Sequence, residues 1–156
     1  MNEPGKASKM LMKLSQLLRY QLYDCSRAKV LLGSEITFLN NYLTLEQSSQ
    51  SQLNYEFLSE GEVNRTLVPP LLFIPFVQHI VKSINERRIS TPVSLKIHLK
   101  AEGDTITFTC LCPQVNIPSD KGLGRIRQRL DLLYGNRYRL FLTTESIWLE
   151  LKGGEV

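Results

Sequence analysis

The chain has 156 residues, 42% of them apolar and 22% charged, and 19 Lys+Arg against 15 Asp+Glu leave a formal net charge of +4. These values exclude a disordered or fibrous chain, and the length fits one domain with an appendage, able to bury about 70% of the surface the unfolded chain exposes. The longest nearly unbroken apolar run, Leu67 to Val77, is interrupted by Pro69, Pro70 and Pro75 and falls short of the roughly 20 residues of a membrane span. The start, Met1-Asn2-Glu3-Pro4-Gly5-Lys6, lacks the apolar stretch of a secretory signal, so a cytosolic module is expected.

From Ala7 to Tyr23 apolar residues recur at Met10, Leu11, Leu14, Leu17, Leu18 and Leu22, a spacing that predicts an amphipathic helix. After a turn at Gly33-Ser34, Ser34 is the expected cap of a second helix whose Ile36, Leu39, Tyr42 and Leu43 run toward Glu46. The polar tract Gln47 to Gln52 ends it, and divides the chain into a helical segment, residues 1–50, and an α/β remainder, residues 51–156. Leu53 to Leu58 alternates as a half-buried strand does. Pro69-Pro70 then leads into a buried helix from about Leu71 to Glu86, whose regular part starts nearer Ile74 because Pro75 is tolerable only in a first turn or at a kink.

Val93 to Leu99 and Thr105 to Cys110 alternate on either side of the turn Ala101-Glu102-Gly103-Asp104 and predict a hairpin. Its cysteines, Cys110 and Cys112, would share one strand face. With Cys25 they make an odd set with no disulfide or Cys-x-x-Cys spacing, and a zinc site drawing on His79 or His98 lacks the paired ligands such sites show. Pro113 to Asp120 reads as a loop, Gly122 opens a helix through Tyr134 that Gly135-Asn136 ends, and Tyr138 to Thr143 with Ser146 to Lys152 forms a second hairpin. The order predicts an α+β fold, helices packed on one face of a mixed, mainly antiparallel sheet and preceded by an N-terminal helical segment.

The motifs carry a resemblance. Leu14-Ser15-Gln16-Leu17-Leu18-Arg19-Tyr20 resembles the LS-x-LLRY segment of the second dimerisation helix in sensor histidine kinases of the LytS/YehU type. Glu35 to Glu46 is similar to that family's EI-x-x-L-x-x-YL-x-LE helix, Pro69 to Val77 to the lead into its N box, and Arg127 to Gly135 to the RL-x-LLY helix after its glycine-rich box. The resemblance covers most of the chain from Leu14 onward. It implies a GHKL (Bergerat) ATP-binding fold, with Mg-ATP as cofactor held between helices and sheet. It also implies a homodimer or heterodimer through Leu11, Leu14, Leu18 and Leu22, with an intact histidine kinase or a response regulator as partner.

At the family's nucleotide positions this sequence departs from the pattern. The E-N-x-x-K-H-G box reads Gln78-His79-Ile80-Val81-Lys82-Ser83-Ile84 and retains only Lys82. Where the family's asparagine orients Mg²⁺ through a carbonyl oxygen, His79 offers nitrogen, a poor exchange for a hard cation. Cys112 stands where an Asp or Asn would read adenine, and a thiol is too weak a donor and acceptor for that task. The box G-x-G-L-x-N reads Asp120-Lys121-Gly122-Leu123-Gly124-Arg125, keeping Gly122 and Leu123 but placing Asp120 and Arg125 at the ends. The helix start at Gly122 can attract an anion, although a short Gly-x-Gly is more often a simple turn.

No histidine precedes the LS-x-LLRY match; His79 is expected to pack in its helix and His98 to face solvent, so no catalytic residue is assigned. Three readings follow: a nucleotide-binding phosphotransferase module with decayed boxes, a non-catalytic partner of an intact kinase or response regulator, and a basic nucleic-acid binder. The last rests only on Arg87, Arg88, Arg125, Arg127, Arg129, Arg137 and Arg139, which lack the interleaved aromatics of single-strand binders and read as a solvated face.

Overall fold

In chain order the elements are α1 (Pro4–Leu22), β1 (Val30–Leu31), α2 (Leu32–Ser49), β2 (Leu53–Gly61), β3 (Leu67–Val68), α3 (Ile74–Glu86), β4 (Val93–Glu102), β5 (Thr105–Leu111), α4 (Gly124–Tyr134), β6 (Tyr138–Leu142) and β7 (Ser146–Lys152). The computed structural model describes residues 4–49, 52–86, 91–115 and 123–153. Five strands form one sheet in the order β2-β4-β5-β7-β6, in which β2 and β4 are parallel and every other pair is antiparallel. The parallel pair requires a crossover, which α3 supplies. Strict alternation makes one face of this sheet apolar: Val93, Leu95, Ile97, Leu99 and Ala101 of β4, Ile106, Phe108 and Cys110 of β5, and Ile147, Leu149 and Leu151 of β7 are all buried. They share a single core with Phe38, Leu39 and Leu43 of α2, Phe76, Ile80 and Ile84 of α3, and Leu130 and Tyr134 of α4. The expected helices on one face of a mixed, mainly antiparallel sheet are therefore present.

Helix α1 begins before Ala7 because Pro4, which has no N–H to satisfy, suits a first helical position. It buries Leu17 and Tyr20, the latter stacked on Phe38 of α2 at 4.9 Å between ring centroids. The expected cap at Ser34 is corrected: α2 starts two residues earlier, at Leu32. No side-chain cap is needed there, because the Leu32 and Gly33 N–H groups donate to the carbonyls of Thr66 and Val63, at 2.8 and 3.0 Å. The antiparallel pair β1 and β3, too short to be read from periodicity, brings those carbonyls within reach. Helix α2 also outlasts its expected end near Glu46, since the Ser48 and Ser49 hydroxyls turn back onto the carbonyls of Thr44 and Glu46. It packs on the sheet through Thr44, whose hydroxyl lies 2.9 Å from that of Tyr55.

Helix α3 starts at Ile74, which puts Pro75 in the first turn as the proline chemistry requires. Helix α4 starts at Gly124, two residues later than expected, with buried Leu123 anchoring its entry and the Leu123 carbonyl accepting from Arg127 N–H at 2.9 Å. Gly135 ends it in a positive-φ conformation (61°), its N–H donating to the Asp131 carbonyl. Gly61 closes β2 at a point where any Cβ would lie 1.9 Å from the Ala101 carbonyl oxygen, so only glycine permits that pairing.

Candidate nucleotide-binding surface

Three elements carry the positions that the sequence singles out, and they pack on one another. The start of α3 lies over β5, with Phe73 and Phe76 against Phe108 at 4.9 and 5.9 Å between centroids. The segment entering α3 is tied to α4 by Arg129, whose guanidinium donates to the Pro70 carbonyl at 2.6 Å and the Leu71 carbonyl at 2.8 Å. On α3, Gln78 and Lys82 are exposed one turn apart and His79 is half-buried. Lys82 Nζ stands 3.8 Å from Glu86 Oε1, an exposed pair that contributes little.

Cys112 follows β5 and is wholly buried, its N–H donating to the Glu145 carbonyl at 2.8 Å. Burial pushes its thiol up to about 11, and Cys110 higher still, so both stay protonated near neutral pH. A neutral thiol offers a purine edge one weak donor and one weak acceptor. Among the described residues no three His, Cys, Asp or Glu side chains form a cluster that could hold a metal ion. Leu123 is buried and Arg125 exposed, while Asp120 and Gly122 lie outside the described residues. His98 faces the outer, solvent side of β4 as expected, and there its Nε2 lies 2.5 Å from Glu60 Oε1.

Two arginines expected on a solvated face are structural. Arg129 makes the two bonds already given, and Arg137 donates to the Gly153 carbonyl at 2.8 Å and lies over the Tyr134 ring.

Sequence reasoning also missed a buried acid. Glu35 of α2, 2% exposed, accepts from the Tyr20 hydroxyl through Oε2 and from the Leu72 N–H, at 3.1 Å, through Oε1. Burial holds its carboxyl above the usual range, although the Tyr20 hydroxyl, the Leu71 and Leu72 N–H groups and the Arg129 charge all pull it down. Tyr20 is raised in turn by burial and by Glu35. The signal was available: Glu35 falls in the apolar stripe of α2 with Leu32, Phe38, Leu39 and Leu43. An acid in such a stripe needs internal donors.

The Histidine kinase family model matches residues 1–53, which span α1, α2 and the start of β2. The sensor protein LytS of Staphylococcus haemolyticus is 27% identical over 159 aligned residues, covering 91% of this chain. The chain is similar to LytS sensor proteins, and its first 53 residues match the histidine kinase family model.

The LytS-like module spans about a quarter of the length of the curated relatives it matches. In fold it is similar to the catalytic domain of the histidine kinase ThkA, with a TM-score of 0.60 at 12% identity, covering 80% of this chain and 93% of that one. It is also similar to the ThkA structure in complex with the response regulator TrrA, with a TM-score of 0.51 at 10% identity, covering 97% of this chain and 53% of that one. No helix of the LytS-like module is, among the described residues, long and apolar enough to cross a membrane.

Proposed function

We propose that the LytS-like module is the dimerisation and ATPase-like end of a two-component sensor kinase, residues 1–50 supplying the dimerisation helix with its linker helix and residues 51–156 a nucleotide domain whose Mg-ATP chemistry has decayed. The single observation that carries the reading is Cys112, a buried, protonated thiol on the strand end where the family places the side chain that reads adenine. Half-buried His79 and exposed Gln78 support it from α3, because an imidazole nitrogen suits Mg²⁺ poorly and Gln78 lacks the family's carboxylate charge. The two histidines of the sequence, on α3 and β4, both follow the LS-x-LLRY match, whereas the family's phosphoacceptor stands in a helix upstream of it.

The test is titration with Mg-ATP by calorimetry. The expected result is no saturable binding below millimolar nucleotide, together with a gain of binding when His79→Asn, Cys112→Asn and Asp120→Gly are combined. Micromolar, Mg-dependent binding by the unaltered chain overturns the decay.

A second reading has its own support. Leu11, Leu14, Leu18 and Leu22 make an uncovered apolar stripe on α1, which suits a subunit that pairs with an intact kinase or presents its helices to a response regulator. The two readings differ in what the partner does, and both need the α1 stripe. Nucleic-acid binding draws no comparable support, since Arg129 and Arg137 are spent on backbone carbonyls.

A further inference from the structure

The polar contacts of Glu35 run continuously from α1 to α4. Tyr20 of α1 donates its hydroxyl to one carboxylate oxygen of Glu35, and the other oxygen takes the Leu72 N–H at 3.1 Å. One residue before Leu72, Leu71 holds a positive φ of 58°, a left-handed conformation unfavourable for a side chain with a Cβ. The carbonyls of Leu71 and its neighbour Pro70 are gripped by the two arms of the Arg129 guanidinium, at 2.8 and 2.6 Å. The planar fork of arginine suits two adjacent acceptors in a way a lysine ammonium cannot.

We infer that Tyr20, Glu35 and Arg129 are positioning residues that couple the placement of α1 to the turn entering α3 and to the first turns of α4. The strained Leu71 turn is the element both ends bias, held in its left-handed form by Glu35 from one side and Arg129 from the other. If α1 moves so that the Tyr20 hydroxyl leaves Glu35, a buried carboxylate loses a donor and its hold on Leu72 changes. The turn can then relax, and with it the backbone that Arg129 clasps. The coupling deepens the proposed function, because it rests on reading α1 as the dimerisation helix and α3 and α4 as the helices that bear the nucleotide boxes. It gives a rearrangement of the helix pair a path of bonded contacts to both boxes, through residues that belong to neither.

The test is amide hydrogen exchange on the full chain, compared among the unaltered protein, Tyr20→Phe and Arg129→Lys. Tyr20→Phe keeps the ring that stacks on Phe38 and removes only the hydroxyl, so the fold should survive, as circular dichroism will report. The expected result is exchange at least about threefold faster in peptides covering 70–77 and 123–130, beyond any change in α1 itself. Arg129→Lys, which keeps charge but loses the fork, should act in the opposite direction and speed exchange around Tyr20 and Glu35, because coupling is reciprocal. The double variant should show less than the product of the single effects, since either change alone breaks the chain of contacts.

Exchange altered only in α1 and α2 by Tyr20→Phe, and only in α4 and the α3 entry by Arg129→Lys, would mean that each bond is local support and the coupling is wrong. Glu35→Gln serves as a further check: replacing one of the two accepting oxygens by an amide NH2, which cannot accept, should speed exchange in both regions at once, and an effect confined to α2 counts against the coupling. Exchange needs no nucleotide. A chain that ignores Mg-ATP therefore still answers the question, and failure of the coupling is visible separately from failure of the nucleotide reading.

Discussion

Replacing Leu14 and Leu18 of α1 by glutamate separates what that helix does for its own chain from what it does for a partner. The two leucines are 46% and 49% exposed, so roughly half of each side chain is left for a second helix to cover. Full burial of a leucine is worth about 1.5–3 kcal/mol, and covering the remaining halves is worth about 1 kcal/mol each. In a symmetric pair both residues count twice, which gives about 4 kcal/mol, or nearly three orders of magnitude in dissociation constant. Burying two carboxylates per helix without partners adds to that loss. Within the monomer the cost should stay within about 0.5 kcal/mol, because the altered positions are on the surface. Leu17, a residue away but turned inward at 8% exposure, is the contrast: Leu17→Ala should cost the fold about 2–4 kcal/mol. Sedimentation velocity over a concentration series reads the association, and urea unfolding reads the stability. If the double glutamate variant remained folded and its sedimentation matched the unaltered protein at every concentration, with and without an intact kinase, the dimerisation role of α1 would be refuted.

Three further outcomes follow from the same contacts. Phe108→Ala should cost about 3–5 kcal/mol in urea unfolding, because the ring is fully buried between Phe73 and Phe76 and its loss leaves a cavity where α3 meets the sheet. Glu35, facing Tyr20 from α1, Cys25 from the turn after it and Arg129 from α4, has its carboxyl raised above 4.5, so the folded state holds the proton longer than the unfolded one. Its contribution to stability, taken as the difference from Glu35→Gln, should be greatest below about pH 4.5 and fall as pH rises through the folded value; a difference that grows with pH would show that the hydrogen bonds and Arg129 outweigh burial. Incubation of the isolated chain with γ-labelled Mg-ATP should give no acid-labile label, and label mapped to His79 or His98 would contradict the roles given to them.

Strand β4 was legible because Val93 to Leu99 alternates without a fault, and α3 because a proline pair precedes an apolar helix. What escaped was set by partners far along the chain. Nothing near Leu32 announces that Thr66 and Val63 will satisfy the first N–H groups of α2, so Ser34 looked like the cap. The pairs Val30–Val68 and Leu31–Leu67 are too short to show a period at all. Arg129 read as one more surface charge because its acceptors, the carbonyls of Pro70 and Leu71, lie 59 and 58 residues away and main-chain acceptors leave no mark on composition. Glu35 was the exception, an acid within an apolar stripe, and its position alone asked for a buried partner. At the candidate site the positions on α3 and at the end of β5 rest on family motifs alone, and the expectations for Asp120 and Gly122 fall outside the described residues.

On the proposed reading, the burial of these positions explains how a nucleotide site decays while its scaffold persists. Gln78 touches solvent, so an exchange there disturbs little of the core, and Cys112 enters it as a small apolar group that needs no partner. Loss of the family residues at those places therefore carries little cost in folding. The contacts that join α1, α2, the Leu71 turn and α4 are of the opposite kind, because removing any one strands a buried or part-buried polar group. On the proposal made here, the drift is confined to positions where metal and adenine chemistry was their main purpose. The helix pair and its link to the nucleotide domain stay under the constraint of stability itself, which is what a subunit that signals through its partner would need to keep.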